Sequence, residues 1–165
     1  MKKLVIVIIS FISILIISCE GPSGPPGPPG EDGGLIVAPA FEIEIDFNSG
    51  NNYEFIEPYG FTIYPSDVTL VYILWDVIDG QEIWRLVPQT VEFNEGTLVY
   101  NYDFTREDVR FFLDGTINFS LLDSVWTQNQ VFRVVIVPAD DVGKHIYTDL
   151  EAVMNVFNIK EFKKH

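Results

Sequence analysis

The sequence has a single cysteine, Cys19, among 165 residues. A disulfide within the chain is therefore excluded, and an apolar core must stabilise the fold. Only two histidines are present, no Gly-x-Ser-x-Gly motif occurs, and the spacing of Asp140, Asp141 and His145 matches no zinc or EF-hand pattern. We interpret the two aspartates as turn residues and expect His165, the last residue of the sequence, to be frayed.

Basic residues are also scarce, because 10 Lys and Arg stand against 24 Asp and Glu and give a net charge of −14. Such a chain without a basic stripe repels phosphate backbones, which excludes nucleic acid as a partner and gives no attraction to anionic lipid. The acidity is explained by solubility and by repulsion between neighbouring copies. No motif for a cofactor or a metal ion is found.

The chain has no apolar run long enough for a transmembrane helix, which needs about 20 residues. The run at residues 4–18 follows Lys2 and Lys3 and ends at a small residue, as in a secretory signal. Ile16-Ile17-Ser18-Cys19 resembles the lipobox of bacterial lipoproteins, in which the cysteine is acylated and becomes the first mature residue. We predict a cleaved signal peptide over residues 1–18 and lipidation of Cys19. The resemblance implies more than one acyl chain and therefore a durable anchor, whereas one chain alone binds a membrane only marginally.

A collagen-like repeat follows the cysteine within a predicted spacer over residues 19–34. Glycine stands at every third position, at Gly21, Gly24, Gly27, Gly30 and Gly33. Only glycine fits the crowded axis of a collagen triple helix, but four triplets are few. We therefore favour a polyproline-II spacer on a monomer, which would hold the next domain roughly 35–40 Å from the membrane. A homotrimer through residues 21–33 is the alternative.

The run from Cys19 to Gly30, Cys-Glu-Gly-Pro-Ser-Gly-Pro-Pro-Gly-Pro-Pro-Gly, resembles the start of collagen-like lipoproteins of some Gram-negative bacteria. The resemblance is specific over residues 1–34 and loose beyond. It implies an exported protein whose acylated cysteine anchors it to the lipid bilayer of the cell envelope, with the outer membrane as the expected site. The C-terminal domains of that family have no established function, so no catalytic residues are implied.

Residues 35–165 are long enough for one domain with its own core. In residues 41–47 the apolar side chains alternate with Glu42, Glu44 and Asp46, which predicts a half-buried strand with an acidic outer face. In residues 68–78 and 131–137 the odd-numbered and the even-numbered positions are both mainly apolar. Because these positions face opposite sides of a strand, the pattern predicts strands covered on both faces. Asp79-Gly80 predicts a tight hairpin. Further strands are predicted at residues 53–56, 81–87, 90–93, 97–104 and 116–122.

These short strands with turns at regular intervals predict a mainly β fold, an antiparallel β-sandwich or an open barrel. Towards the end of the sequence, Thr148-x-x-Glu151 is a capping-box pattern. The apolar positions after it follow helical spacing, at Leu150, Val153, Met154 and Phe157. We predict one C-terminal amphipathic helix that lies across the sheet or closes one end of the sandwich.

The three tryptophans are the best candidates for ligand contacts. Trp75 and Trp84 lie in predicted strands and are interpreted as core residues, whereas Trp126 lies in a polar stretch. Trp126 is therefore the candidate contact, or a plug for the end of the sandwich. With 24 acids, a pair of carboxylates carries no specific signal for a glycosidase.

The organisation of the chain predicts an anchored structural or interaction module, in the envelope or displayed on the cell surface, whose protein or glycan ligand is unknown. A glycan-binding module that uses exposed aromatic residues is the first alternative. An uncharacterised envelope enzyme is the second, but the sequence offers no catalytic constellation, and we predict that the protein is not an enzyme.

Overall fold

The computed structural model describes residues 38–139 and 147–165. The predicted signal peptide, Cys19, the five glycines of the repeat and the loop with His145 lie outside the described residues. Within those residues, no helix is both long and apolar enough to cross a membrane.

The described residues form two sheets in a sandwich. The strands are β1 (Ala40–Ile45), β2 (Glu54–Pro58), β3 (Val68–Ile78), β4 (Gln81–Leu86), β5 (Gln89–Phe93), β6 (Gly96–Phe104), β7 (Asp108–Gly115), β8 (Gln130–Val137) and β9 (Lys163–Lys164). The first sheet has the order β4-β3-β8-β1-β9, and the second has the order β2-β7-β6-β5. All pairings are antiparallel except the parallel pair of β1 and β9. The predicted antiparallel β-sandwich is confirmed, and the sheets do not close into a barrel.

The main core lies between the two sheets. Phe41, Ile43 and Ile45 of β1 are buried there, as the alternating pattern predicts. Side chains of β3, β6, β7 and β8 complete the core: Val71, Ile73, Leu98, Tyr100, Val109, Phe111, Leu113, Phe132, Val134 and Ile136. Burial of this apolar surface is the main favourable contribution to the fold, at about 25 cal/mol per Å² removed from water.

A second core covers the outer face of the first sheet. Helix α1 (Leu150–Val156) and the residues after it pack there. The helix and its C-cap contribute Leu150, Val153 and Phe157, and β3 and β8 contribute Leu70, Tyr72, Val135 and Val137. The predicted amphipathic helix is therefore confirmed. Its packing explains why β3 and β8 carry apolar side chains on both faces. The N-cap is Asp149 rather than the predicted Thr148, because the Asp149 carboxylate accepts from Glu151 N at 2.9 Å.

Of two local predictions, the hairpin at Asp79-Gly80 is confirmed and the strand at residues 116–122 is not. Asp79 and Gly80 both have positive φ, 52° and 78°, and form the two-residue hairpin between β3 and β4. The strand predicted at residues 116–122 is wrong, because β7 ends at Gly115 and a 3₁₀ turn occupies Phe119–Leu121. The Asn118 side chain accepts hydrogen bonds from Ser120 N and Oγ, and this local cap favours the turn over a strand.

The end of the sequence is held by both sheets. The backbone N–H of His165 donates to Glu42 O at 3.0 Å, and its ring stacks on Phe41 with 4.3 Å between centroids. The His165 Nδ1 atom lies 2.7 Å from Glu57 Oε1 on β2, the edge strand of the second sheet. The expected fraying of His165 is therefore wrong, because stacking and a contact across the sandwich edge fix this residue.

Candidate functional site

Trp126 lies at one end of the sandwich, in the 3₁₀ turn Ser124–Trp126. The turn is held to the second sheet because the Tyr100 hydroxyl donates to Trp126 O at 2.7 Å. The half-buried indole packs edge-on against Phe93, with 5.4 Å between ring centroids. Trp126 therefore plugs the end of the sandwich, and its position also makes it a wall of the cavities described below.

Burial raises the pKa of the Tyr100 hydroxyl well above its ordinary value. The hydroxyl, which is protonated at neutral pH in any tyrosine, therefore stays a hydrogen-bond donor to the carbonyl of Trp126 into the alkaline range. The turn that carries Trp126 is thus attached to the rigid core of the second sheet, which fixes its position before any ligand arrives.

A cavity of about 310 Å³ opens between Trp126 and β3, and we call it the tryptophan cleft. Its aromatic walls are Trp75, Tyr100 and Trp126. Trp75 stands at the register shift of β3 against β4, between Leu74 and Asp76. Such a bulge re-aims side chains at the rim of a sheet. Trp75 packs edge-on to Tyr100 with 6.4 Å between centroids.

Polar groups without a partner in the described structure surround these rings. Asp76 Oδ1 accepts from Val77 N at 2.8 Å, whereas no described group bonds to Asp76 Oδ2. The side-chain amide of Asn129 and the indole N–H groups of Trp75 and Trp126 likewise have no hydrogen-bond partner among the described residues. The cleft therefore combines aromatic surface with free donors and acceptors, the composition typical of a small-molecule site.

The rim of the cleft is apolar and exposed. Val77 and Val125 line the cleft and are 54% and 69% exposed. Gln130 supports this rim, because its Nε2 donates to Val125 O at 3.0 Å and to Gln128 O at 2.7 Å. These two valines extend the aromatic walls of the cleft with apolar surface that solvent reaches.

A second, more polar cavity of about 460 Å³ lies between the first sheet and α1. Its walls include Glu82, Trp84 and Arg133, together with Asp149 and Glu151 at the start of the helix. Arg133 lies between two rings, with its guanidinium carbon 4.0 Å from the centroid of Trp84 and 4.7 Å from that of Phe162. Within the described residues, no three or more His, Cys, Asp or Glu side chains are grouped to hold a metal ion.

The guanidinium of Arg133 also contacts two carboxylates. Its Nε atom lies 3.0 Å from Glu42 Oε2, and its Nη2 atom lies 3.1 Å from Glu82 Oε2. Because two carboxylates and two aromatic rings engage the same side chain, Arg133 links β1, β4 and β8 to the segment that follows α1. We assign it a structural role.

The structure brings the predicted contact Trp126 together with Trp75, which the sequence pattern assigns to the core. Trp75 does both, since it packs against the main core and lines the cleft. Trp84 packs against the second core, as predicted. Asp76 and Asn129 were not predicted as site residues, and the only signal for Asp76 is that it follows a tryptophan in the strand.

No protein-family model, curated protein or solved structure matches the chain. A function is therefore inferred from the cleft and from the organisation of the sequence, because the fold of a domain does not by itself determine its activity.

Proposed function

We propose that the chain is an anchored binding module of the bacterial cell envelope. A lipid at Cys19 holds it to the bilayer, residues 21–33 separate the domain from the membrane, and the β-sandwich binds a ligand in the tryptophan cleft. The observation that carries the binding role is the cleft itself, in which Trp75 and Trp126 stand beside the exposed polar side chains of Asp76 and Asn129.

The distribution of charge and apolar surface supports a monomeric module that meets its ligand at one end. A chain that starts at Cys19 lacks Lys2 and Lys3, so its net charge is 8 − 24 = −16, and this charge repels neighbouring copies. Val77 and Val125 add exposed apolar surface to the edge of the cleft.

The anchor is tested on the native protein. Mass spectrometry of protein extracted from membranes is expected to find a chain that starts at Cys19 and carries acyl groups, and labelled palmitate is expected to be incorporated. A Cys19→Ser variant is expected to lose the label and to leave the membrane fraction, while Ser18→Ala keeps the cysteine and serves as the control. An unmodified thiol on a chain that retains residues 1–18 would contradict the proposal.

A glycan is the ligand class that the cleft favours. Aromatic rings stack against the apolar faces of sugar rings, while carboxylates and amides pair with hydroxyl groups. Trp126 and Trp75, one face of which lies under the Arg85 guanidinium, supply the rings, and the side chains of Asp76 and Asn129 supply the polar groups. The cleft volume of about 310 Å³ lies at the lower end of the range for ligand pockets, which suits one or two sugar units.

Tryptophan fluorescence tests this ligand class. Titration with a panel of neutral glycans is expected to change the emission for at least one of them, and Trp75→Ala is expected to lower that affinity at least tenfold, about 1.4 kcal/mol. Trp84→Phe is the matched control, since Trp84 lies on the outer face of the first sheet. Emission that does not change across the panel, or binding that survives Trp75→Ala, would count against a glycan.

A further inference from the structure

A further cavity lies on the other side of Trp126, and we call it the Phe93 cavity. Its volume is about 310 Å³, and its apolar lining comprises Phe93, Ile117, Leu121, Leu122 and Trp126. Trp126 is the residue that this cavity shares with the tryptophan cleft. Its indole is fixed edge-on against Phe93 at 5.4 Å, so one rigid side chain separates the two concave surfaces.

The surface around Trp126 is open on both sides. Val125, on the cleft side, is 69% exposed, and Leu121, on the side of the Phe93 cavity, is 72% exposed. Each cavity alone lies near the lower limit for a ligand pocket. A ligand that crosses Trp126 and enters both cavities buries more apolar surface than one that occupies either alone, which favours an elongated occupant.

The charges lining the two cavities exclude anionic ligands. Asp76 lines the cleft, and Glu95 and Asp123 line the Phe93 cavity, whereas no lysine, arginine or histidine is among the described residues that line either. An anionic ligand would lose hydration beside these carboxylates, and Arg85, the cation over the Trp75 ring, does not line either cavity. Carboxylates do suit hydroxyl groups, from which they accept hydrogen bonds.

A cationic ligand is disfavoured at the cleft by Arg85. The Arg85 guanidinium carbon lies 4.2 Å from the centroid of the Trp75 ring, and Arg85 forms no ion pair with the described residues. Arg85 therefore already occupies a cation–π position on the Trp75 ring, and a ligand cation gains no such contact on that face. The aromatic walls and the hydrogen-bond-accepting carboxylates together favour an uncharged, hydroxyl-rich ligand.

We infer that the tryptophan cleft and the Phe93 cavity are two subsites of one site that binds a linear, uncharged oligosaccharide across Trp126. This inference rests on the proposed glycan-binding function. It adds that the protein selects its ligand by the length of the oligosaccharide and by the absence of charge on it. Trp75 contacts one part of the chain, Phe93 contacts another, and Trp126 lies between the two parts.

Calorimetry on the lipidated chain in lipid nanodiscs, free of glycosidic detergent, tests the inference. The probes are cello-, malto- and N-acetylchito-oligosaccharides of one to six units, with oligogalacturonides as acidic probes and chitosan oligomers as cationic probes. For the neutral series that binds, the affinity is expected to rise at least tenfold from the single unit to the tetramer and then to level off. The acidic and cationic series are expected to bind at least tenfold more weakly than the neutral tetramer.

Two variants separate the subsites. Phe93→Ala is expected to lower the affinity for the tetramer more than that for the single unit, so that the tenfold gain with chain length is lost. Trp75→Ala is expected to weaken both. Phe93→Leu, which keeps an apolar side chain of similar size, is a second variant for the same subsite. It is expected to retain part of the length dependence, and its thermal unfolding shows whether the fold is intact.

The failures of the two proposals are distinguishable. If no glycan binds, the glycan-binding function is wrong, and the subsites fall with it. If a glycan binds through Trp75 but the affinity does not depend on chain length, or if Phe93→Ala binds the tetramer as tightly as the wild type, only the two-subsite inference is overturned. Tighter binding of the acidic or the cationic series would also overturn it.

Discussion

Arg133→Ala is expected to destabilise the domain by about 3 kcal/mol. The side chains of Arg133 and Glu42 are only 17% and 16% exposed, so the substitution leaves a carboxylate largely buried without its main partner. It also removes the guanidinium from between Trp84 and Phe162, and with it two cation–π contacts. Urea denaturation at neutral pH, followed by circular dichroism, measures the loss.

Arg110 provides a matched comparison within the same chain. It also contacts two carboxylates, those of Glu54 and Asp103, and an aromatic ring, Phe112 at 4.8 Å. Its side chain is 40% exposed, however, and solvent screens exposed ion pairs strongly. Arg110→Ala is therefore expected to shift the urea midpoint much less than Arg133→Ala. Equal shifts for the two variants would show that burial does not decide the contribution of these arginines.

A third variant distinguishes the charge of Arg133 from its packing. Arg133→Met keeps an apolar side chain between Trp84 and Phe162 but leaves Glu42 without the guanidinium. Combining it with Glu42→Gln removes the buried charge and is expected to restore part of the stability, because the remaining partner of Glu42, the 85% exposed Lys164 at 3.6 Å, compensates that charge only weakly. If the double variant is no more stable than Arg133→Met, packing rather than charge explains the destabilisation.

The sandwich could be predicted from the sequence because the order of apolar and polar residues along a strand shows whether one face or both faces are buried. Along β1, apolar side chains alternate with acidic ones. Both faces of β3 and β8 are apolar because the main core covers one face and α1 covers the other. Local hydrogen bonds leave a weaker pattern. The apolar residues from Ile117 to Leu122 read as a strand, but the Asn118 cap and the end of β7 at Gly115 make a turn there.

The candidate site was only partly predictable for a similar reason. Trp126 stands out because its neighbours are polar, whereas Trp75 has the sequence context of a core strand. A register shift of β3 against β4 places Trp75 at the rim, and this shift depends on strand pairing rather than on composition. The second cavity forms where β5, the 3₁₀ turns and Trp126 meet, so it depends on contacts between residues far apart in the sequence.

The stability of the domain is expected to fall steeply above about pH 10, the ordinary pKa of tyrosine. Burial raises the pKa of Tyr59 to about 12, in spite of its 2.8 Å hydrogen bond to Thr69 Oγ1. Burial raises the pKa values of Tyr72 and Tyr100 further, and that of Tyr102 is raised by the same cause. These four hydroxyls keep their protons in the folded state at a pH where an unfolded chain loses them.

The sign of the effect follows from proton linkage. A pKa that is raised in the folded state stabilises the fold fully below the unfolded pKa, and the contribution is lost as pH rises towards the folded pKa. Each buried tyrosine then lowers the free energy of unfolding by about 1.4 kcal/mol per pH unit. Tyr59, Tyr72 and Tyr100, whose pKa values are raised most, together give about 4 kcal/mol per pH unit, so a domain of ordinary stability is expected to unfold within one or two units above about pH 10.

Urea denaturation at a series of alkaline pH values measures this slope, and ultraviolet absorbance follows tyrosinate formation in the same samples.

Tyr59→Phe is expected to reduce the slope by about 1.4 kcal/mol per pH unit. It is also expected to lower the free energy of unfolding by about 1 kcal/mol at neutral pH, because the buried hydroxyl of Thr69 loses its partner. Tyr64→Phe is the control, since Tyr64 is 73% exposed, and its slope is expected to match the wild type. If both variants have the same slope as the wild type, some other process causes the alkaline unfolding. If tyrosinate forms before the fold is lost, the core around these hydroxyls is open to solvent.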